Sequence, residues 1–93
     1  MPELARFYGI VITMLFRDHG PPHIHAYGGN RRRPDWAAQF AIHDGGVLDG
    51  EVDGLARRLV KDWIRLHRSE LLNAWALAVA GRQPGKIAPL KFR

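Results

Sequence analysis

A chain of 93 residues with 14 Lys and Arg against 9 Asp and Glu carries a formal charge of +5 and contains no cysteine. At that length one core is expected, a single domain over residues 1–93 with no room for a separate regulatory module. The missing cysteines exclude a disulfide framework and a thiolate zinc site, so any metal would have to use histidine and carboxylate; the charge favours an anionic partner without specifying one.

The first apolar run, Phe7 to Phe16, is nearly continuous and β-branched at Ile10, Val11, Ile12 and Thr13, which predicts a central strand covered on both faces. It is too short to cross a bilayer, and no small-residue cleavage site follows it. A cytoplasmic protein with no membrane association and no cofactor is the expectation. His23 to Tyr27 reads as a second strand, entered through the turn Gly20-Pro21-Pro22. From Trp36 the residues Trp36, Ala38, Phe40 and Ile42 alternate with Ala37, Gln39, Ala41 and His43, the period of a strand with one buried face. Asp44-Gly45-Gly46 supplies a tight hairpin turn, and Val47 to Val52 returns as the fourth strand of an antiparallel meander.

After Asp53 the period becomes helical. Asp53 can cap a helix, Gly81 can stop one, and an apolar stripe runs through Val60, Ile64, His67, Leu71, Trp75 and Ala78, widened by Leu55, Leu59 and Trp63. One uninterrupted helix here would span about 40 Å, longer than so small a domain is wide. Two segments are therefore expected, Gly54 to about Arg68 and Ser69 to about Ala80, with Ser69 as the second cap. The tail RQPGKIAPLKFR has no period and is expected along the surface. The predicted fold class is α+β: an antiparallel sheet of about four strands covered by one long or two consecutive helices.

The chemistry is concentrated in DHGPPHIHAYGG, residues 18–29. On a strand, His23 and His25 lie two apart and share a face, with Asp18 and His19 arriving from the preceding turn. Such a pair can supply two nitrogens to zinc, nickel or iron, with His19 or Asp18 as third ligand; no resident metal is expected, and if one binds, the set is His19, His23 and His25. The same residues fit metal-free ribonuclease chemistry, which needs a base for the 2′-hydroxyl, an acid for the leaving oxygen and a cation for the phosphate. His23 and His25, with His19 and Asp18 beside them, are the candidate catalytic set, and Arg31, Arg32 or Arg33 the candidate phosphate ligand. A structural reading also stands: Pro21-Pro22 pins the turn, the histidines hydrogen-bond to the facing helix, and Tyr27 packs in the core. His67 lies on the apolar stripe and reads as a core-edge histidine that could also overhang the strand pair. Arg31-Arg32-Arg33 is either a solvated loop or, after Gly28-Gly29-Asn30, a flexible arm for a phosphate backbone.

Taken together, MPELARFYGIVITMLFRDHGPPHIHAYGG, the hairpin, RLVKDWIRLHRSELLNAWALAVAG and KIAPL resemble the small bacterial proteins of domain-of-unknown-function family 4160. That family opens M-P-x-I-x-x-F-x-G-I-x-I and continues into D-H-x-P-P-H-x-H-A, here Asp18 to Ala26. The resemblance maps Asp18, His19, Pro21, Pro22, His23, His25, Trp63, His67 and Trp75 onto the family pattern, while Asn30 to Asp35 is longer and more basic than usual. It implies a cognate small protein encoded nearby, in a toxin-antitoxin-like arrangement. The leading expectation is a toxin-like component that acts on or binds RNA through the histidines. The alternatives are a non-enzymatic module that binds DNA, RNA or a partner, and a histidine metal-binding protein.

Overall fold

The computed structural model describes residues 2–30 and 32–91. Five strands precede two helices: β1 (Glu3–Phe7), β2 (Ile10–Thr13), β3 (His23–Gly29), β4 (Pro34–Ala41), β5 (Val47–Glu51), α1 (Gly54–Leu66) and α2 (Arg68–Val79). The strands form one antiparallel sheet in chain order, so the α+β meander of the sequence reading holds, with one strand more.

The extra strand arises inside the run expected as one. Tyr8 and Gly9 both have positive φ, 48° and 76°, the two-residue turn that matches the twist of flanking antiparallel strands. The turn folds Glu3–Phe7 back on Ile10–Thr13, with Phe7 opposite Ile10. All four residues of β2 are buried, as expected of a strand covered on both faces.

The side chains of Ile12, Ile24, Ala26, Ala38 and Phe40 point to one face and pack against Val60, Trp63 and Ile64 of α1 and Leu71, Ala74 and Ala78 of α2. Burying one side chain the size of Phe40 is worth about 1.5–3 kcal/mol, so this layer ties the helices to the sheet. Of the expected helical stripe, Leu55 points outward and is 70% exposed.

Asp53 caps α1 as predicted, accepting the Ala56 N–H at 2.8 Å. The helix break falls at His67 (φ −120°, ψ 24°) and not at Ser69, and no side chain caps α2. A break is required because the molecule measures 32 × 30 × 20 Å. Gly81 (φ 78°) ends α2: its N–H donates to Ala78 and the Arg82 N–H to Leu77, the paired bonds of a glycine-stopped helix. No helix among the described residues is long and apolar enough to cross a membrane.

The tail does more than lie on the surface. The Ile87 N–H donates to the Leu4 carbonyl at 2.9 Å, Trp63 Nε1 donates to the Ala88 carbonyl at 2.8 Å, and Ile87 and Leu90 are buried in the core. It thus covers the β1 edge of the sheet, a row of backbone groups otherwise open to pairing.

Gly50 shows how closely β4 and β5 approach. It sits at φ 83° opposite Ala38, and a Cβ there would collide with the Ala37 carbonyl oxygen. Gly50→Ala is expected to cost about 1–3 kcal/mol in urea unfolding through backbone strain and this clash. A change within a few tenths of a kcal/mol would show that β5 is not held in this register.

Candidate functional site

Strand alternation sends Ile24 and Ala26 to the core and His23, His25 and Tyr27 to the opposite face. Register then places Thr13 of β2 and Gln39 of β4 on either side of His25, and Ala41 opposite His23.

Asp18 reaches the pair through the loop between β2 and β3, which is tied at both ends. The Arg17 N–H donates to the Ala78 carbonyl at the end of α2 (2.9 Å), and the Ile42 N–H donates to the Pro22 carbonyl (3.0 Å). Arg17 has φ 54°, which turns the chain between β2 and Asp18, and the Gly20–Pro21 peptide is cis. Arg68 closes the outer side, its Nε donating to the Ile42 carbonyl at 3.1 Å.

The result is a three-residue cluster. Asp18 Oδ2 lies 2.9 Å from His23 Nε2 and 3.8 Å from His25 Nε2, and one ligand atom from each residue lies within 4.8 Å of the others. The two imidazole centres are 5.2 Å apart, and the Trp75 ring of α2 lies 5.1 Å from that of His23. His23 Nδ1 is 2.8 Å from the Pro21 carbonyl, which can only accept, so Nδ1 carries a proton and donates it. His25 Nε2 and the Thr13 hydroxyl are buried and have no hydrogen-bond partner among the described residues. A groove of about 210 Å³ opens beside them, lined in part by Thr13, His25, Tyr27, Gln39 and Asp49.

The electrostatics follow from this crowding. Burial pushes the Asp18 carboxyl up, but the His19 backbone N–H and the neighbouring imidazoles His23 and His25 outweigh it, and Asp18 titrates below its ordinary value. Burial pushes the His25 imidazole down, the charge of His23 adds to this, and Asp18 offsets only part of it.

The other candidate residues are placed apart from this trio. His19 is exposed on the loop and touches Asp18 only through its backbone N–H (2.9 Å). His67 stands at the junction of the helices, its Nδ1 2.7 Å from Glu70 Oε1 and its ring 5.5 Å from that of Trp63. Neither strand histidine bonds to the facing helix, and Tyr27 is half-buried on the outer face instead of in the core. Arg32 and Arg33 are exposed beyond Gly29, at the opposite end of β3 from His23; six residues of strand put about 20 Å between them. Arg31 lies outside the described residues. Arg32 and Arg33 are therefore not part of the histidine site, and among the described residues the only cationic side chains paired with Asp18 are imidazoles.

Thr13 and Gln39 read in the sequence only as strand positions, and strand register is what brings them beside His25. Trp75 is legible on the apolar helical stripe, eight residues from His67, and in the family pattern, but neither places its ring against His23.

The family model described as a domain of unknown function (DUF4160) matches residues 9–76. The chain belongs to this family, and the match includes the whole Asp18–His23–His25 cluster. No curated protein and no solved structure matches the chain.

Both resolved shifts in the cluster have the same sign for stability. The unfolded chain binds protons more readily than the folded one at His25, below the ordinary imidazole value of 6.5, and at Asp18, below 3.8. Stability from these groups is present at neutral pH and lost as pH falls through those windows. Urea midpoints in metal-free buffer should drop between about pH 7 and pH 5, and His25→Gln should remove part of that drop. A flat wild-type profile, or an identical slope in the variant, contradicts this placement of His25.

Proposed function

We propose that this protein is a small toxin-like component that acts on RNA at the Asp18–His23–His25 cluster. The observation that carries the reading is the convergence of two imidazoles and a carboxylate, with one imidazole nitrogen unpartnered beside a groove. Groups of this kind move protons and bind ions at neutral pH, the work a phosphodiester cleavage requires. The +5 charge of the chain favours a polyanion, and Arg32 and Arg33 serve in this reading as a separate contact to the RNA backbone. They position the chain and take no part in the reaction.

A cognate partner, implied by the family resemblance, has a surface suited to it. Ser69, Leu72, Asn73, Ala76, Val79 and Ala80 form an exposed, uncharged arc on α2 and the residue after it. The arc holds the exposed apolar side chains of Leu72 and Val79, which a partner could cover.

The two RNA contacts can be separated experimentally. Arg32→Glu with Arg33→Glu should weaken binding to a single-stranded RNA and lower the salt dependence by about two phosphate contacts. His25→Ala should leave binding within about twofold and abolish cleavage, with the far-ultraviolet circular dichroism unchanged. RNA that is neither bound nor cut by the wild-type chain, or cut equally by His25→Ala, overturns the reading.

A further inference from the structure

We propose that Asp18, His23 and His25 bind one divalent transition-metal ion through Asp18 Oδ2, His23 Nε2 and His25 Nε2, leaving at least one coordination position for water or substrate. The argument starts from the His23 ring, which sits between two oxygen acceptors. Its Nδ1–H is committed to the Pro21 carbonyl at 2.8 Å, and its Nε2 faces the Asp18 carboxylate at 2.9 Å. With Nδ1 holding the proton of a neutral ring, Nε2 presents a lone pair to a negatively charged oxygen. Two electron-rich atoms at that separation need a positive charge between them.

A second proton on His23 would satisfy that one contact. It would leave His25 Nε2 as it stands, buried, unpartnered and 3.8 Å from the same carboxylate oxygen. A metal ion answers both demands, because it accepts all three donors together. With metal–ligand distances of about 2.0–2.2 Å, neighbouring donors around a tetrahedral ion lie about 3.3–3.6 Å apart. The observed 2.9 and 3.8 Å bracket that range, and the two imidazole nitrogens lie within 4.8 Å of each other, so binding requires the rings to draw together around the ion.

The surroundings have the features that support a metal site. A metal-bound histidine usually donates its other ring N–H to a carbonyl or carboxylate, and the Pro21 carbonyl fills that place for His23. The donors are held in position by the β3 register and by a loop fastened at Arg17 and Pro22. Two imidazoles and one carboxylate select zinc or ferrous iron and their first-row neighbours over magnesium or calcium, which prefer oxygen donors. Of the two third ligands the sequence offers, Asp18 is the one that joins the cluster, while the His19 side chain is exposed and outside it.

Binding does not depend on the RNA reading. A role for the ion in cleavage does rest on it: the metal would supply a cation to a phosphate at the cluster, at the end of β3 opposite Arg32 and Arg33.

The test uses the full-length, chelator-treated chain without RNA, titrated with Co²⁺ and Zn²⁺ by calorimetry and visible spectroscopy. One ion per chain is expected, with Co²⁺ absorption bands of a low-coordinate histidine site that Zn²⁺ abolishes. Asp18→Ala and His25→Gln should each weaken binding about tenfold or more, while His19→Ala leaves it unchanged. A wild-type chain with no stoichiometric Co²⁺ bands overturns the proposal, whether or not any variant folds. So does loss of affinity in His19→Ala equal to that in Asp18→Ala, or full affinity in a folded His25→Gln. Metal binding without RNA cleavage would keep this site and remove the RNA reading; RNA cleavage by a chain that binds no metal would do the reverse.

Discussion

The hydrogen bond from His23 Nδ1 to the Pro21 carbonyl decides what the rest of the cluster can do. It closes at 2.8 Å across the turn that starts β3, so the residue defining the strand entry also fixes the histidine tautomer. Once Nδ1 is a donor, Nε2 can only point its remaining valence at Asp18, and His25 Nε2 is left 3.8 Å from the same carboxylate with no hydrogen bond among the described residues. An imidazole on an exposed strand would be free to flip and choose its tautomer. Here the ring is 8% exposed, between Trp75 and His25, and has no such freedom.

The two faces of the sheet divide the labour. One face is apolar and holds α1, α2 and the tail; the other carries His23, His25, Thr13 and Gln39 in adjacent register positions. Buried polar atoms without partners are costly, about 1–3 kcal/mol each, and Thr13 Oγ1 and His25 Nε2 are two of them on this second face. The arginine arm belongs to neither face. It extends from the far end of β3, and the strand between it and His23 is too stiff to fold one onto the other.

Much of this was legible in the chain. Alternation from Trp36 to Phe40, the Asp53 cap and the Gly81 stop each carry a local signal with one physical meaning, and each appears where expected; the turn expected at Asp44-Gly45-Gly46 starts earlier, at Ile42, with positive φ at Gly45 alone. The His-x-His pair on one strand face followed from period alone. What was not legible depended on conformations that composition does not announce. Tyr8 at positive φ is an unusual choice for a turn, so one apolar run hid two strands. The helix break at His67 has no capping side chain to advertise it. Asp18 and His19 are adjacent and equally suited to the cluster on paper. Arg17 at φ 54°, pinned to α2, is what sends the first inward and leaves the second outside. The docking of Ile87 and Leu90 is a tertiary event with no periodic trace.

The most direct test of this account is long-range ¹⁵N–¹H NMR of the imidazole rings in the chelator-treated chain at neutral pH, repeated after addition of one equivalent of Zn²⁺. The account predicts a protonated His23 Nδ1 in both states, and a zinc-induced shift of Nε2 in His23 and His25 but not in His19. A neutral His23 with its proton on Nε2 and a bare Nδ1 would contradict it, because the Pro21 carbonyl would then not be holding the ring and the cluster would have no fixed lone pair to offer.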